Sequence, residues 1–375
     1  MIDSIGSRND IEGNSVCFLN YDLAFGGTEK VIVSLANHFH FLGKKVTILI
    51  LSEKNDFKDF LNPEISVICL NVRKMKYLTP KLSQFIINNN FDNFIANVWP
   101  LTSLSFVVRV FSKNTHLIYI EHCNLSEQFQ ARSAFFKFMQ KLSISFFYKF
   151  ANMIVTVSDG VKKDLINKGV LESKIKVIYN PVISEPVQQL TEHNLPAKHW
   201  LASNKKRLIA VGRFKAQKNF TNLVEAIYIA KNKLDLDLSL LLLGDGEEKE
   251  KILERVVALR LEENIFLAGW VSDPLPYFDL ADLFVLSSDY EGFGVVIVEA
   301  MSRGLNIVST NCKSGPSEIL NNGEFGFLCE VDNPESLSHS IMSALNKPIP
   351  KDRLIQRSED FSEKKIGNLY AEIIR

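Results

Sequence analysis

The chain has 375 residues, which is long for a single hydrophobic core and suits two domains of ordinary size. Hydrophobic residues make up 46% of it and charged residues 23%, and its formal net charge is zero. This composition excludes a disordered protein and a strongly charged nucleic-acid binder, so we expect a folded two-domain protein with no nucleic-acid partner.

Cysteine usage and the first residues indicate the compartment. The five cysteines are odd in number, scattered and never at C-x-x-C spacing: Cys17, Cys69, Cys123, Cys312 and Cys329. This pattern argues against a disulfide framework or a zinc site and favours a reducing compartment. Residues 1–14 carry charges and glycines where a signal peptide has an apolar segment, and no window of about 18 residues is free of charge. We expect a cytoplasmic protein with no signal peptide and no membrane span.

The two halves of the chain differ in charge. Residues 1–180 contain 21 Lys and Arg against 15 Asp and Glu, whereas residues 181–375 contain 22 against 28. One interpretation is chance variation on solvated faces. The other is that the basic half lies near an anionic surface or a phosphate-bearing acceptor, and the sequence leaves both open.

In chain order, the first half alternates short apolar, β-branched runs with longer amphipathic stretches, which predicts β-α-β units and a parallel sheet. The predicted strands are residues 16–20, 45–51, 66–70, 93–97, 116–121, 153–157 and 176–179. The first strand leads into the glycine pair Gly26-Gly27, and an amphipathic helix follows over residues 30–41. A tight turn explains the glycines, and the alternative is a phosphate contact at the start of the helix.

A linker is predicted after the last of these strands. Residues 180–186 contain two prolines, and the polar stretch at 188–206 lacks periodicity. The domains are then 1–182 and 183–360, with residues 361–375 as a closing helix that can pack back on the first domain. Doubly wound sheets bind ligands outside the carboxyl ends of their strands, which predicts a site in the cleft between two such sheets.

The second half has the same alternation, with predicted strands at residues 207–211, 239–244, 265–268, 283–286, 306–309 and 326–329. A basic loop over residues 212–219 follows the first of them, and a helix is expected from about Asn222. Arg213 can bind two phosphate oxygens as a fork, and Lys218 adds a point charge. The loop therefore suits a diphosphate, with a solvated basic loop as the alternative.

Two further strand ends and one acidic pair carry weaker signals. Glycines at 244–246 and at 269 leave room for a base or a ribose, although turn chemistry explains them almost as well. Asp235 and Asp237 match the Asp-x-Asp signature of metal-dependent transferases of another fold. That signature belongs after a strand, and here it precedes one, so we interpret it as a loop coincidence.

The sharpest motif spans residues 287–300 and contains Glu291 and Glu299. Two glycines open a loop that turns into a helix, whose first N–H groups would point at a bound diphosphate or sugar hydroxyl. Glu299 can accept hydrogen bonds from ribose hydroxyls, and Glu291 can hold a hexose hydroxyl. A glycosidase acid/base pair is the weaker alternative, because it leaves the basic loop unexplained.

Five motifs in this order resemble the retaining glycosyltransferase family 4 of bacterial cell-surface glycan synthesis: Gly26-Gly27-Thr28-Glu29, Val211-Gly-Arg213-Phe-x-x-x-Lys218-Asn219, Leu243-Gly-Asp-Gly246, Glu291-x7-Glu299 and Gly315-Pro-Ser-Glu318. Any one motif is weak, but five in register are strong, and the likeness covers almost the whole chain. The resemblance implies an α/β protein of the GT-B fold, with two Rossmann-like doubly wound domains facing each other across a cleft.

The resemblance also implies residue roles. Arg213 and Lys218 would neutralise the donor diphosphate, so that no metal or other cofactor is required. Glu299 would bind the ribose and Glu291 the transferred sugar. His122 falls where the family carries a His that meets this sugar, with a structural hydrogen bond as its alternative. His122 and Glu291 are thus the catalytic candidates. The other donor-binding candidates are Gly26, Gly27, Gly246, Phe293, Gly294, Val295 and Glu318, and stabilising a helix start is the alternative for Glu318.

Residues 135–150 are helix-like, rich in phenylalanine and dotted with Lys137, Lys141 and Lys149. We favour a core helix that packs on the sheet. The alternative, found in some family members, is a basic amphipathic surface that docks on the cytoplasmic face of the inner membrane. A second basic cluster comprises Arg73, Lys74, Lys76 and Lys81.

The resulting hypothesis is a retaining transferase for a hexose or N-acetylhexosamine. Its donor is a nucleotide-diphosphate sugar, with uridine as the family's commonest base. Its acceptor is a hydroxyl of a growing glycan such as a lipid-linked oligosaccharide, lipopolysaccharide or capsule precursor. The alternatives are an epimerase or phosphorylase that uses the same cleft, and a catalytically silent subunit that binds nucleotide sugar.

Overall fold

The computed structural model describes residues 15–182, 198–202 and 204–375, which contain two parallel β-sheets. The strands of the first sheet are β1 (Ser15–Asn20), β2 (Lys45–Ile50), β3 (Ser66–Cys69), β4 (Asn93–Asn97), β5 (His116–Glu121), β6 (Met153–Thr156) and β7 (Ile175–Val177). Those of the second are β8 (Lys206–Val211), β9 (Leu238–Leu243), β10 (Ile265–Gly269), β11 (Leu283–Leu286), β12 (Asn306–Thr310) and β13 (Phe327–Cys329). The predicted strands are confirmed, with ends shifted by at most two residues.

The strand orders explain where a ligand can bind. The first sheet runs β3-β2-β1-β4-β5-β6-β7 and the second β10-β9-β8-β11-β12-β13. In each sheet the chain starts at a middle strand, builds toward one edge and then crosses to the other side. The direction of building therefore reverses beside β1 and beside β8, and the loops at the carboxyl ends of those strands frame a crevice.

Helices cover both faces of the two sheets. Strands such as β4 and β9 are therefore buried along their whole length. The helices of the first domain are α1 (Gly27–Phe41), α2 (Leu78–Asn88), α3 (Leu101–Leu104), α4 (Val107–Phe111), α5 (Leu125–Gln128), α6 (Ala134–Phe147) and α7 (Asp159–Asn167). Those that follow are α8 (Lys198–Leu201), α9 (Phe220–Lys233), α10 (Lys249–Ala258), α11 (Leu275–Phe278), α12 (Val295–Ser302), α13 (Pro316–Ile319), α14 (Pro334–Asn346), α15 (Lys351–Ser358) and α16 (Glu363–Ala371). In the part of the chain that the structure describes, no helix combines the length and the apolar character needed to cross a bilayer.

The chain passes between the domains at two neighbouring points. At the first, the Val182 N–H donates to the Phe361 carbonyl at 2.9 Å, and Val182 pairs with Ser362 as a parallel bridge. After the second crossing, α16 packs on α1, where the Ser34 hydroxyl donates to Glu363 at 3.0 Å. The closing helix thus lies against the first domain.

An aromatic cluster joins the domains beside these crossings. Tyr179 of the first domain stacks on Phe293 of the second with ring centroids 5.5 Å apart. Phe361 packs edge-on against both rings. Because these rings are continuous with buried side chains of both domains, one apolar core runs through the junction.

Most of the predicted linker, residues 183–197, lies outside the described residues, as do residues 1–14. The prediction that this polar stretch continues to residue 206 is wrong at its end. Residues 198–201 form α8, and the buried Trp200 donates its indole N–H to the Ser239 carbonyl of β9 at 3.2 Å. One aromatic side chain anchors the segment, which gives no periodic signal in the sequence.

The interpretation of residues 135–150 as a core helix is also wrong. Along α6 only Gln140 and Ile144 are buried. Five large apolar side chains at helical spacing are solvent-exposed, from 45% for Met139 to 74% for Phe135: Phe135, Phe138, Met139, Leu142 and Phe146. We call these five residues the α6 apolar stripe. The helix is amphipathic as predicted, but it packs on the domain through its other side, which carries Gln140 and Ile144.

Candidate active site

The predicted motifs meet in the cleft at the two strand-order reversals. The basic loop follows β8, and the 287–300 motif follows β11, which is hydrogen-bonded next to β8. From the first domain, β1 leads to the glycine turn and β5 leads to His122. The parallel topology therefore brings segments far apart in the chain to facing edges.

The basic loop gathers three cations. The Lys218 ammonium lies 2.6 Å from the Glu291 carboxylate, whereas Arg213 is 72% exposed and 3.8 Å from Glu247. Lys215, to which the sequence analysis gave no role, is partly buried, and burial together with the neighbouring Lys218 ammonium lowers its pKa. An anion such as the predicted diphosphate would relieve the repulsion among these groups.

The 287–300 motif forms a glycine-capped helix start. Gly294 has φ = 102° and directly precedes α12, so its conformation favours glycine. Glu291 is nearly buried in the preceding loop and accepts a hydrogen bond from the Ser288 hydroxyl at 2.7 Å. The first N–H groups of α12 have no partner within the helix, and they give this end a positive potential that suits a phosphate.

Glu299 lies in the second turn of α12 and is nearly buried. The Lys30 ammonium of α1, in the other domain, contacts its carboxylate. The sequence analysis missed Lys30, because nothing local distinguishes a lysine on an amphipathic helix from a solvated one.

His122 is buried at the carboxyl end of β5. Its Nε2 lies 3.1 Å from Asn97 Oδ1, and the Asn97 amide nitrogen donates to the Leu19 carbonyl, so Nε2 carries the proton. Burial lowers the pKa of His122 to about 3, and the ring is neutral near pH 7. Nδ1 has no partner among the described residues and is left as an acceptor. A sugar hydroxyl can donate to such an atom, and the predicted role of His122 stays a prediction.

The two domains touch backbone to backbone beside His122. An ideal Cβ on Gly292 would lie 1.7 Å from the His122 carbonyl oxygen, so only glycine allows this approach. The Ser158 hydroxyl of the first domain donates to the Gly292 carbonyl at 2.7 Å. The loop that carries Glu291 is therefore held against the first domain.

Glu318 has a partner that the sequence did not suggest. Its carboxylate accepts from the N–H groups of Asp159 and Gly160, at 2.8 and 3.1 Å, at the start of α7 in the first domain. It also lies 3.5 Å from the Gly315 N–H of its own helix start. A carboxylate at a helix N-terminus is favourable, so Glu318 joins the domains in this structure. Its predicted donor contact stays a prediction.

Two glycine sites have local structural reasons. Gly246 has φ = 156°, and an ideal Cβ there would lie 2.4 Å from the Phe214 carbonyl, so this turn packs tightly on the basic loop. α1 starts at Gly27, three residues before the predicted start, and the Glu29 carboxylate lies beside Gly26. The proposed donor contacts of these glycines stay predictions.

Among the described residues, no three His, Cys, Asp or Glu side chains lie close enough together to bind a metal ion. Asp237 lies 3.6 Å from Lys205, and it precedes β9 as the sequence indicated. The Asp-x-Asp pair therefore lies at the amino end of β9. The basic loop follows the carboxyl end of β8, so the two lie at opposite ends of these parallel strands.

Comparisons with known proteins agree with this geometry. Residues 25–185 match the family described as Glycosyltransferase Family 4, and residues 192–361 match Glycosyl transferases group 1. Over 360 residues the chain is 27% identical to N-acetylgalactosamine-N,N'-diacetylbacillosaminyl-diphospho-undecaprenol 4-alpha-N-acetylgalactosaminyltransferase of Campylobacter jejuni, covering 92% of this chain and 95% of that protein. It is 31% identical over 176 residues to lipopolysaccharide 1,6-galactosyltransferase of Escherichia coli, covering 45% and 46%.

Among solved structures, Anabaena HepE in complex with UDP and glucose has a TM-score of 0.79 at 18% identity, over 96% of this chain and 98% of that one. At this identity the likeness shows the fold alone, which is GT-B. The two family matches lie side by side over almost all of the chain. The chain therefore belongs to the glycosyltransferases that combine a family 4 domain with a group 1 domain.

Proposed function

We propose that this glycosyltransferase moves a hexose or N-acetylhexosamine from a UDP-sugar to a hydroxyl of a lipid-linked or cell-surface glycan, with retention at the anomeric carbon. The observation that carries the proposal is the meeting of the basic loop with the start of α12 and Glu299 at the strand-order reversal. Cations and helix N–H groups suit a diphosphate, and a nearly buried carboxylate suits a ribose diol.

The named relatives support the choice of substrates. HepE was solved with UDP and glucose, and the Campylobacter relative is named for a diphospho-undecaprenol acceptor. The Escherichia relative is named for lipopolysaccharide. The HepE complex supports a uridine nucleotide as the donor, and the names of the other two relatives support a glycan on a lipid as the acceptor.

In the proposed reaction the acceptor oxygen bonds to the anomeric carbon on the face from which the diphosphate leaves. The bond to the diphosphate oxygen breaks, and that oxygen takes the acceptor proton. Arg213, Lys215 and Lys218 stabilise the charge that develops on the leaving diphosphate, together with the α12 N–H groups. Neutral His122 accepts a hydrogen bond from the sugar, and Glu291 orients it.

We propose further that transfer needs no metal ion, because the basic loop supplies the positive charge that a divalent cation provides elsewhere. Lys218 is already oriented, since its ammonium lies 2.6 Å from the Glu291 carboxylate in the loop before α12. Arg213 is exposed and can turn toward an incoming diphosphate.

The α6 apolar stripe supports a peripheral contact with the inner membrane. Exposed cations flank it on the same helix and on the turns before and after it: Arg132, Lys137, Lys141 and Lys149. Phe136, at the start of α6, packs edge-on against Trp99, which follows β4 at the carboxyl edge of the first sheet. A helix of this kind lies in the headgroup region of an anionic membrane, and here it would present the cleft to a lipid-linked acceptor.

The test is incubation of the purified enzyme with UDP-glucose, UDP-galactose and their N-acetylamino counterparts, with and without a lipid-diphosphate-linked glycan. We expect UDP release that depends on acceptor, and an α-glycoside by NMR because these donors are α-linked. A β-glycoside would contradict retention. An isomerised donor or a sugar phosphate would indicate the epimerase or phosphorylase alternative.

The metal-free proposal has its own experiment. Turnover should be unchanged by EDTA, whereas Arg213→Ala combined with Lys218→Ala should abolish it. Strict dependence of the wild-type enzyme on added Mg²⁺ or Mn²⁺, or full activity of the double variant, would contradict the proposal. Lys205→Met is the control, because this lysine pairs with Asp237 far from the loop.

A further inference from the structure

Lys30 is the one side chain of α1 shown to reach an acidic residue of α12 across the cleft in the described part of the chain. It follows the Gly26-Gly27 turn by three residues, in the first turn of the helix. Its side chain is 28% exposed, whereas that of Glu299 is only 7% exposed. The contact joins residues 269 positions apart in sequence.

The pair is matched in charge as well as in position. Burial alone would lower the pKa of Lys30, but the Glu299 carboxylate outweighs it, so the pKa is raised and the lysine is charged. Asp273 adds a weaker attraction from the same domain as Glu299. A nearly buried carboxylate needs a charged partner, and the Lys30 ammonium supplies one to Glu299.

Ribose hydroxyls cannot replace Lys30 in this respect. They are neutral, and they donate hydrogen bonds without cancelling the charge of the carboxylate. Each carboxylate oxygen can accept from more than one donor, so Glu299 can hold the lysine and a vicinal diol together. The pair is therefore compatible with an occupied site, and Lys30 need not leave when a nucleotide binds.

The segment that leads into α1 makes a second contact with the second domain. Phe25, just before the glycine turn, packs against Trp270 with ring centroids 4.3 Å apart and ring planes tilted by 34°. Trp270 directly follows β10 in the second domain. The segment from Phe25 to Lys30 thus touches the second domain at two places.

We propose that Lys30 is a positioning residue for the donor, which holds the Glu299 carboxylate aimed at the ribose diol and thereby links ribose binding to the first domain. The inference rests on the proposed nucleotide-sugar donor. Lys30 acts through Glu299 and not on the diphosphate, which lies by the cations of the basic loop.

The experiment compares binding of UDP and of 2′,3′-dideoxyuridine 5′-diphosphate by calorimetry. Lys30→Met should weaken UDP binding by about tenfold, the value of one charged hydrogen bond, and leave the dideoxy nucleotide nearly unaffected. Lys30→Arg, which keeps the charge, should recover most of the affinity. Lys45→Met is the control, because Lys45 is exposed at the amino end of β2. Unchanged melting temperatures exclude a folding defect.

The outcomes separate the possibilities. An equal loss for both nucleotides would mean that Lys30 binds the diphosphate, and tighter UDP binding by Lys30→Met would mean that it competes with ribose. Either result overturns the inference and leaves the proposed function standing. Failure of the wild-type enzyme to bind UDP or any other nucleoside diphosphate would overturn both.

Discussion

The two glutamates of the 287–300 motif are each paired with a lysine, but the lysines come from different domains. Lys218 holds Glu291 within the second domain, and Lys30 holds Glu299 from the first. Both carboxylates are nearly buried, so each is fixed before a substrate arrives. Replacing either one should therefore change the kinetics of the reaction more than the fold.

Replacing Glu299 by alanine should lower kcat/KM for the donor by about tenfold to a hundredfold. The change removes charged hydrogen bonds to the ribose that contribute about 1.5–3 kcal/mol. Initial rates at several donor concentrations measure it. Glu254→Ala serves as a control on the exposed side of α10, and donor kinetics equal to those of the wild type would remove Glu299 from the site.

Glu121, next to His122, is a fully buried acid of the first domain. It accepts from the Thr102 hydroxyl at 2.9 Å and from the Tyr148 hydroxyl, and burial raises its pKa to about 7. The folded protein therefore holds this proton more tightly than the unfolded chain, where the pKa is about 4.5. The free energy that the proton contributes is fully present below about pH 4.5 and is lost as pH rises through about 7.

From this shift we expect the free energy of unfolding of the wild-type protein to fall by up to about 3 kcal/mol between about pH 5 and pH 8 on account of Glu121. Glu121→Gln cannot ionise and should flatten that part of the profile. Urea unfolding of both proteins across this range gives the difference. Parallel profiles for the two proteins would show that Glu121 is ionised throughout.

At the scale of elements, the loop before α12 acts as a contact between domains as well as a ligand loop. Gly292→Ala would place a methyl group 1.7 Å from the His122 carbonyl oxygen, which forces the facing backbones apart. Because a shift of about 1 Å at a reacting centre can cost a hundredfold in rate, we expect kcat to fall by about that factor. UDP affinity should change much less, since the predicted UDP contacts other than those of Gly26 and Gly27 lie within the second domain. Wild-type kcat in this variant would contradict the close approach.

The elements differ in how far sequence could predict them. The strands could be predicted because runs such as residues 238–243 are apolar throughout, and because each is bounded by glycine or polar residues. α6 could not be placed, since its periodicity shows an apolar stripe but not whether anything covers it. α8 was not predicted from the sequence, because a single tryptophan, Trp200, anchors it and leaves no periodic pattern.

At the scale of the whole molecule, the α6 apolar stripe gives a prediction about membranes. Phe135→Ser, Phe138→Ser and Leu142→Ser together should weaken binding to anionic lipid vesicles by at least about tenfold, because burial of each apolar side chain contributes about 1.5–3 kcal/mol. Vesicle sedimentation measures binding. Activity toward a water-soluble acceptor should be retained.

The matched control for that experiment is Phe41→Ser with Leu42→Ser, which removes another exposed apolar pair at the end of α1. Vesicle binding by this control should equal that of the wild type. Equal binding by the α6 variant and the wild type would exclude the stripe as the membrane contact and direct attention to the basic cluster around Lys74 and Lys76.

Site residues within one domain were accessible from sequence, whereas contacts between domains were not. Arg213, Lys218, Glu291 and Glu299 lie in loops and helix starts with recognisable spacing. Lys30 contacts Glu299, and Glu318 contacts the start of α7, only because two separate domains meet in one geometry. A pattern along the chain carries no information on that meeting.

The two neighbouring crossings at Val182 and Phe361 bear on how this enzyme can be engineered. Because α16 packs on α1, a chimera that exchanged everything after residue 182 would graft a foreign closing helix onto the native first domain. Donor specificity is better transplanted by swapping the stretch between the crossings and keeping residues 361–375 with their original partner. In such hybrids the residue at position 30 should match the incoming counterpart of Glu299, and the residue at position 160 that of Glu318. These two pairs, Lys30 with Glu299 and Gly160 with Glu318, are contacts between the domains.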